Sequence, residues 1–174
     1  MIITMDNIKI VKLNSYLDKC WISSVLCDYH YQYYYKINMI AMLPTIIGSA
    51  MLTCLNSSDI NSNIIKWINI TINGSNTLII ALTTNYKLQD RISVYKNLYN
   101  KYQKLSHKIE STINNSSDIT DNILDDIISE YDLLQNSNEY GFLSSYKTKI
   151  VEKYGLTKQM PNSLQLEAGL VINN

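Results

Sequence analysis

The residues whose types and spacing could do chemistry fall into three groups. The first is the run DITDNILDDIISEYD, which places Asp118, Asp121, Asp125, Asp126, Glu130 and Asp132 within fifteen residues. Clustered carboxylates hold hard cations, but this run has no Gly-bearing calcium-loop spacing and reads as a continuous acidic strip. The second group is Cys20, Cys27 and His30, which share one helical face at separations of seven and three. Three soft ligands on a single helix do not close a zinc tetrahedron without help from elsewhere. The third is His107, in KLSHKIE, whose place beside an apolar stripe fits a helix interface better than a proton switch. No Gly-rich phosphate loop, HExxH, GxSxG or CxxC pair occurs. The expectation is a protein that is not an enzyme, with no catalytic residue, cofactor or metal site.

A fourth set of polar groups matters because of its setting. Lys66, Asn69, Asn73 and Asn76 are spaced by three and four, so they run along one side of a helix, while Ile65, Ile68, Ile72, Ile79 and Leu82 take other faces. The segment that carries them, 64–85, ends in TLIIAL and follows a fully uncharged one, INMIAMLPTIIGSAMLTCL at 37–55. As a helix, 37–55 is about 28 Å long, which matches a hydrocarbon core of roughly 30 Å. The sequence therefore predicts two transmembrane spans, about 37–55 and 64–85, folded as a hairpin through the polar connector NSSDINSN. A polar stripe in a marginal span is expected to hide against protein or water, so Lys66, Asn69, Asn73 and Asn76 are the candidate lining of a pore or an inter-subunit seam. In the first span, Thr45, Ser49 and Thr53 recur every four residues beside Gly48, a small-residue face for helix packing. Pro44 is expected to kink that span.

Composition points the same way. Charged residues make up 17% of the 174, below the roughly 25% usual for soluble chains. Fourteen Tyr, one Phe and an abundance of Ile, Asn and Lys mark an A+T-rich coding bias, so single Asn residues, and the Asn-x-Ser/Thr sequons at Asn56, Asn69, Asn73 and Asn115, carry little weight. The three cysteines, one of them within the first span, form no disulfide framework and fit a reducing compartment. The first residues lack the pattern of a signal peptide.

Along the chain, 1–14 alternates weakly and reads as an extended arm. A helix is predicted from Ser15 to Lys36, ending in the aromatic collar YHYQYYYK, with Lys36 placed to snorkel. Beyond the second span, TTNYKLQDRISVYKNLYNKYQKLSHKIESTIN has no breaker and predicts a long basic helix that continues the span, with Leu88, Ile92, Tyr95, Leu98 or Tyr99, Tyr102, Leu105, Ile109 and Ile113 on its apolar stripe. After NNSSD, an acidic helix carries Ile119, Ile123, Leu124, Ile127, Ile128, Tyr131 and Leu134. Opposite charge and a short connector predict an antiparallel pair, with Leu98, Tyr102, Leu105 and Ile109 facing Ile123, Leu124, Ile127 and Ile128. A short helix over 142–154 stops at Gly155, and the tail reads as extended or loosely docked. The segments are thus 1–36, an arm and aromatic-rich helix; 37–85, the hairpin; 86–137, the basic and acidic pair; and 138–174, a short helix and tail.

The order of these features, a Tyr-rich helix ending YYYK, a span centred on PTIIGSA, a polar turn, a second span and then YKLQDRISVYKNLYNKYQKLSHKIE, resembles the SLATT family of two-transmembrane effector domains, and more closely its stand-alone members in large DNA viruses. The resemblance covers roughly Trp21 to Leu164. It implies an oligomer that forms a membrane pore; the chain departs from the family in its polar second span and in having no attached nucleotide-sensing domain.

The fold class expected is all-α, a two-helix transmembrane hairpin continuing into a cytoplasmic helical bundle. The leading function is a membrane protein that oligomerises and opens a pore or perturbs a membrane. The rival is a structural viral membrane protein, in the virion membrane, whose bundle binds capsid or other viral proteins; a third is a soluble helical protein that buries the hairpin. The partners expected are a lipid bilayer and further copies of the chain, with no nucleic acid: acidic residues nearby neutralise Lys96 to Lys108, and anionic lipid competes for Lys87 and Arg91. Lysines before the first span and after the second, with Asp59 alone between, place both termini in the cytoplasm.

Overall fold

A computed structural model describes residues 5–57, 62–115, 119–155, 157–161 and 164. Among these the chain is helical without strands, as α1 (Met5–Asn56), α2 (Ser62–Asn85), α3 (Leu88–Asn114), α4 (Asp121–Asn136) and α5 (Ser144–Tyr154). It divides into two compact units, one of residues 1–31 and 94–174 and the other of 32–93. Both unit boundaries fall inside helices, α1 and α3, so neither is marked by a linker.

The first unit holds a well-buried core. Leu98, Tyr102, Leu105 and Ile109 of α3 are buried, as are Leu124, Ile127, Tyr131 and Leu134 of α4. Lys108 of α3 reaches Asp126 Oδ2 at 2.6 Å and Glu130 Oε2 at 2.8 Å on α4, and the Tyr102 and Tyr131 rings lie 6.2 Å apart. The two carboxylates, as hydrogen-bond acceptors, hold the Lys108 ammonium above the usual lysine range. Such solvated ion pairs add only about 0.2 to 1 kcal/mol each, so the apolar stripe dominates. Ile123, expected in the seam, is instead 37% exposed: it lies one position from Leu124, and adjacent helical positions point about 100° apart. Thr120 takes the N-cap conformation of α4 without a side-chain cap.

The N-terminal arm is corrected to helix from Met5 onward. Its weak alternation carried less information than the tertiary contacts, in which Leu13 is fully buried and Lys9 Nζ meets Asp121 Oδ1 at 2.9 Å and the Ile119 carbonyl at 3.0 Å. The start of the tail is docked. Met160 and Leu164 join Ile22, Leu26, Ile150 and Val151 in one cluster, Trp21 packs edge-on against Tyr154 at 4.9 Å, and Lys158 Nζ pairs with Asp18 at 2.7 Å.

The second unit contains the later part of α1, all of α2 and the first residues of α3. The two predicted helices of 15–36 and 37–55 are one element, α1, which passes Lys36 and Ile37 without a break and also runs through Pro44; proline removes one backbone donor, and the helix on either side survives that loss. A Cβ on Gly48 would sit 2.9 Å from Ile72 Cγ2 and 3.6 Å from Asn76 Oδ1, while Asn69 Nδ2 donates to Asn56 Oδ1 at 3.2 Å. These contacts run in opposite order along the two helices. The connector residues 58–61 lie outside the described residues.

One expectation fails at the end of α2. The second predicted span does not flow into the basic helix: Tyr86 and Lys87 form a turn, with Lys87 at φ 50°. The Tyr86 amide returns to the Leu82 carbonyl and the Lys87 amide to that of Thr84, both at 3.0 Å, which satisfies carbonyls a helix end leaves open. A left-handed residue usually announces itself as Gly; here it is Lys, so the stop is invisible to composition.

Candidate functional site

The site begins with what α1 and α2 leave uncovered. Within the second unit, Ile40 is 73% exposed, Ile46 65%, Trp67 71% and Leu78 61%, and Met39, Leu43, Ile47, Met51, Ile64, Ile70, Ile80 and Leu82 are also exposed. The most apolar 18-residue window of α1 has mean hydropathy 1.6 with 11% of it buried. Among the described residues α1 is the one helix long and apolar enough to cross a membrane; α2 does not reach the same standard. Lys66, Asn69, Asn73 and Asn76 are the reason, because they replace about a sixth of α2 with strongly polar side chains.

The predicted polar stripe is divided. Asn69 and Asn76 are half-buried on the side of α2 that carries Ile65, Ile68, Ile72 and Ile79, and Asn69 bonds to Asn56 of α1. Lys66 and Asn73 are exposed. The small-residue face divides too. Thr45 is buried and Gly48 half-buried against Ile72, whereas Ser49 and Thr53 are exposed. Their hydroxyls turn back on their own helix: Ser49 to the Thr45 carbonyl at 2.8 Å, Thr53 to Ser49 at 3.0 Å, and on α2 Thr71 to Trp67 at 3.0 Å and Thr77 to Asn73 at 2.8 Å. Such bonds let hydroxyls sit in an apolar medium with their donors satisfied. Asn38, absent from the candidates, is 8% exposed with no hydrogen-bond partner for Oδ1. Its single-letter context, KINMI, carries no signal that this Asn is buried.

A second polar constellation lies in the first unit around His30, which is fully buried. Its Nδ1 lies 2.7 Å from the Leu26 carbonyl, which can only accept, so Nδ1 carries the proton; the Leu143 amide donates to Nε2 at 2.8 Å. The imidazole is therefore neutral, and burial holds its pKa below the ordinary histidine value, against a smaller opposing effect of the Leu26 bond. Tyr95, Phe142 and Tyr146 ring it at centroid distances of 5.0, 5.2 and 5.0 Å, and the Tyr95 hydroxyl donates to the Gly141 carbonyl. Both ring nitrogens are spent on backbone groups, so His30 is a bolt holding 141–143 in place.

Cys20 and Cys27 are buried and Cys54 is exposed, all as free thiols. Burial pushes the Cys20 thiol up to about 12 and the Cys27 thiol up as well, so neither forms a reactive thiolate. Burial likewise raises Tyr102 and Tyr131. His107, expected at an interface, is corrected to the surface: its side chain is 76% exposed and lies 3.5 Å from Glu110. It sits one residue beyond Ser106, which takes the buried position. Comparison with family models, curated proteins and solved structures finds no match to this chain.

Proposed function

We propose that residues 37–85 insert into a lipid bilayer as two antiparallel spans with both termini in the cytoplasm, and that copies associate through the polar flank of α2 to open a pore or perturb the membrane. The observation that carries this reading is the uncovered apolar surface of α1 and α2, twelve large side chains in one unit besides its tyrosines. Large contiguous apolar patches are rare on monomeric soluble proteins and mark surfaces that meet a membrane or a partner. At about 1.5 to 3 kcal/mol for each large side chain fully buried, their transfer from water favours lipid by on the order of 10 kcal/mol or more. Lys66 opposes this by about 2.5 to 3.5 kcal/mol at the bilayer centre, and by less near the connector, where it snorkels. The balance favours insertion although α2 alone is too polar to be recognised as a span. Association would shelter Asn73 and Lys66, which are exposed on the single chain. The likeness in feature order to the SLATT family supports the same reading.

A specific observation favours the structural-anchor reading of the same insertion, in which the spans hold a helical unit that binds other virion proteins. The hydroxyls of Ser49, Thr53, Thr71 and Thr77 are satisfied within their own helices and need no water.

Sodium carbonate treatment of membranes from expressing cells is expected to leave the protein in the pellet; its release would refute insertion. A cysteine introduced as Ser58→Cys, in a background without the native cysteines, is expected to label from outside, and Ser117→Cys is not. In planar bilayers the purified chain is expected to conduct and Asn73→Leu to abolish conductance without loss of insertion. If the wild type inserts but never conducts, the anchor reading replaces the pore.

A further inference from the structure

Where α2 ends, Asn38 and Met42 of α1, Ile80, Thr83 and Thr84 of α2, and Lys87, Gln89 and Asp90 enclose a half-open cleft of about 190 Å³. That is room for about six waters. Its chemistry is divided in a particular way. Lys87, at φ 50°, and Asp90, three residues later, are exposed residues of the lining and bring to it an ammonium and a carboxylate. Two of the lining residues are buried and polar: Thr83 is 8% exposed with its hydroxyl donating to the Ile80 carbonyl at 3.0 Å, leaving an oxygen that can accept, and Asn38 Oδ1 is buried without a partner. A buried amide oxygen without a donor is costly and asks for one, and Asn38 is one of the residues that line the cleft.

A ligand that satisfies this cleft carries an anion for Lys87 and, close by, a cation with N–H donors for Asp90 and Asn38. It also carries, or is joined to, apolar chains, because Met42 and Ile80 line the same cleft and lead to the exposed Leu43, Ile46 and Leu78. Resting on the insertion reading above, we propose that the cleft binds the headgroup of a phospholipid with a primary amine, a phosphoethanolamine, with the phosphate on Lys87 and the ammonium between Asp90 and Asn38. Choline has the charge but no N–H, so it leaves Asn38 Oδ1 unsatisfied. Glycerol and serine headgroups carry net negative charge and meet Asp90. The site therefore selects by hydrogen bonding as well as by charge.

The test is native mass spectrometry of the full chain, delipidated in detergent and then offered phosphatidylethanolamine, phosphatidylcholine and phosphatidylglycerol of identical acyl chains at equal concentration. Retention of phosphatidylethanolamine at least fivefold over each of the others is expected. Asp90→Asn and Asn38→Leu are each expected to erase that preference, and Lys87→Gln to weaken retention of all three lipids. Near-ultraviolet circular dichroism checks that each variant keeps its fold; a folded Asp90→Asn protein with unchanged preference overturns the assignment. Equal retention of the three lipids by a protein that resists carbonate extraction overturns the headgroup site and leaves insertion standing. Release by carbonate overturns both. Water-soluble glycerophosphoethanolamine, added in hundredfold excess, is expected not to displace the lipid, and displacement would assign the cleft to a soluble ligand.

Discussion

The two units of this chain use similar residues to opposite ends. In the first, Leu13, Leu105, Ile109 and Ile127 are fully buried and the polar groups reach across between elements, as Lys9 does to Asp121 and Lys158 to Asp18. In the second, Ile40, Ile46, Trp67 and Leu78 face outward, and most hydroxyls bond within their own helix. The first unit solves the hydrophobic problem internally, and the second leaves it to its surroundings. The proposed insertion rests on that difference: hydroxyls bonded within their own helices suit a medium that supplies no hydrogen bonds.

The largest effect that separates the units is a core truncation. Leu105→Ala is expected to destabilise the first unit by about 2 to 5 kcal/mol, while Ile46→Ala, at a position 65% exposed, is expected to change the same unfolding transition by no more than about 0.5 kcal/mol. Thermal melts in detergent, followed by near-ultraviolet circular dichroism, read both. Equal losses would abolish the contrast.

His30 gives a mid-sized effect and a pH signature. Its pKa is lowered from 6.5 in the folded protein, so between 6.5 and the folded value the unfolded chain binds a proton that the folded one refuses. Stability is complete above that window and declines as pH falls through it. His30→Ala strands the Leu143 amide and is expected to cost about 1 to 3 kcal/mol at neutral pH. Urea midpoints between pH 7 and 5 are expected to fall more steeply for the wild type than for His30→Ala; parallel curves would show that His30 does not carry this dependence.

The smallest effect tests the contact between α1 and α2. Gly48→Ala gains helix propensity of about 1 kcal/mol and meets Ile72 Cγ2 at 2.9 Å, an overpacking cost of about 1 to 3 kcal/mol. The stiff branched side chain of Ile72 cannot easily yield, so the net is a loss of about 1 kcal/mol, roughly fivefold in pairing. Disulfide formation between Asn56→Cys and Asn69→Cys, with native cysteines removed, is expected to slow accordingly. Faster formation would mean that propensity outweighs the clash.

Much of the helical order was legible because periodicity is local. The stripe through Leu98, Tyr102, Leu105 and Ile109 and that through Leu124, Ile127 and Tyr131 are buried as their spacing demands. The stop at Lys87 was not legible, because its left-handed backbone is held by returning hydrogen bonds and the sequence has no Gly there. Helical spacing alone puts Lys66, Asn69, Asn73 and Asn76 along one side of α2, yet their division into half-buried Asn69 and Asn76 and exposed Lys66 and Asn73 was not legible. That division depends on the angle at which α1 meets α2, a quantity no single helix contains.

By itself the sequence determined that the chain is helical, where its apolar and charged segments lie, and that 37–55 is apolar enough and long enough for a bilayer. Only the tertiary structure decided that residues 5–14 join α1, that His30 is neutral and bolted to the Leu26 and Leu143 backbone, and that Asn38, its Oδ1 buried without a partner, lines a cleft together with Lys87 and Asp90. The physical reason is range: helix formation follows contacts three and four residues apart, whereas burial and hydrogen-bond satisfaction are set by partners more than fifty or a hundred residues away, as Leu143 is from His30.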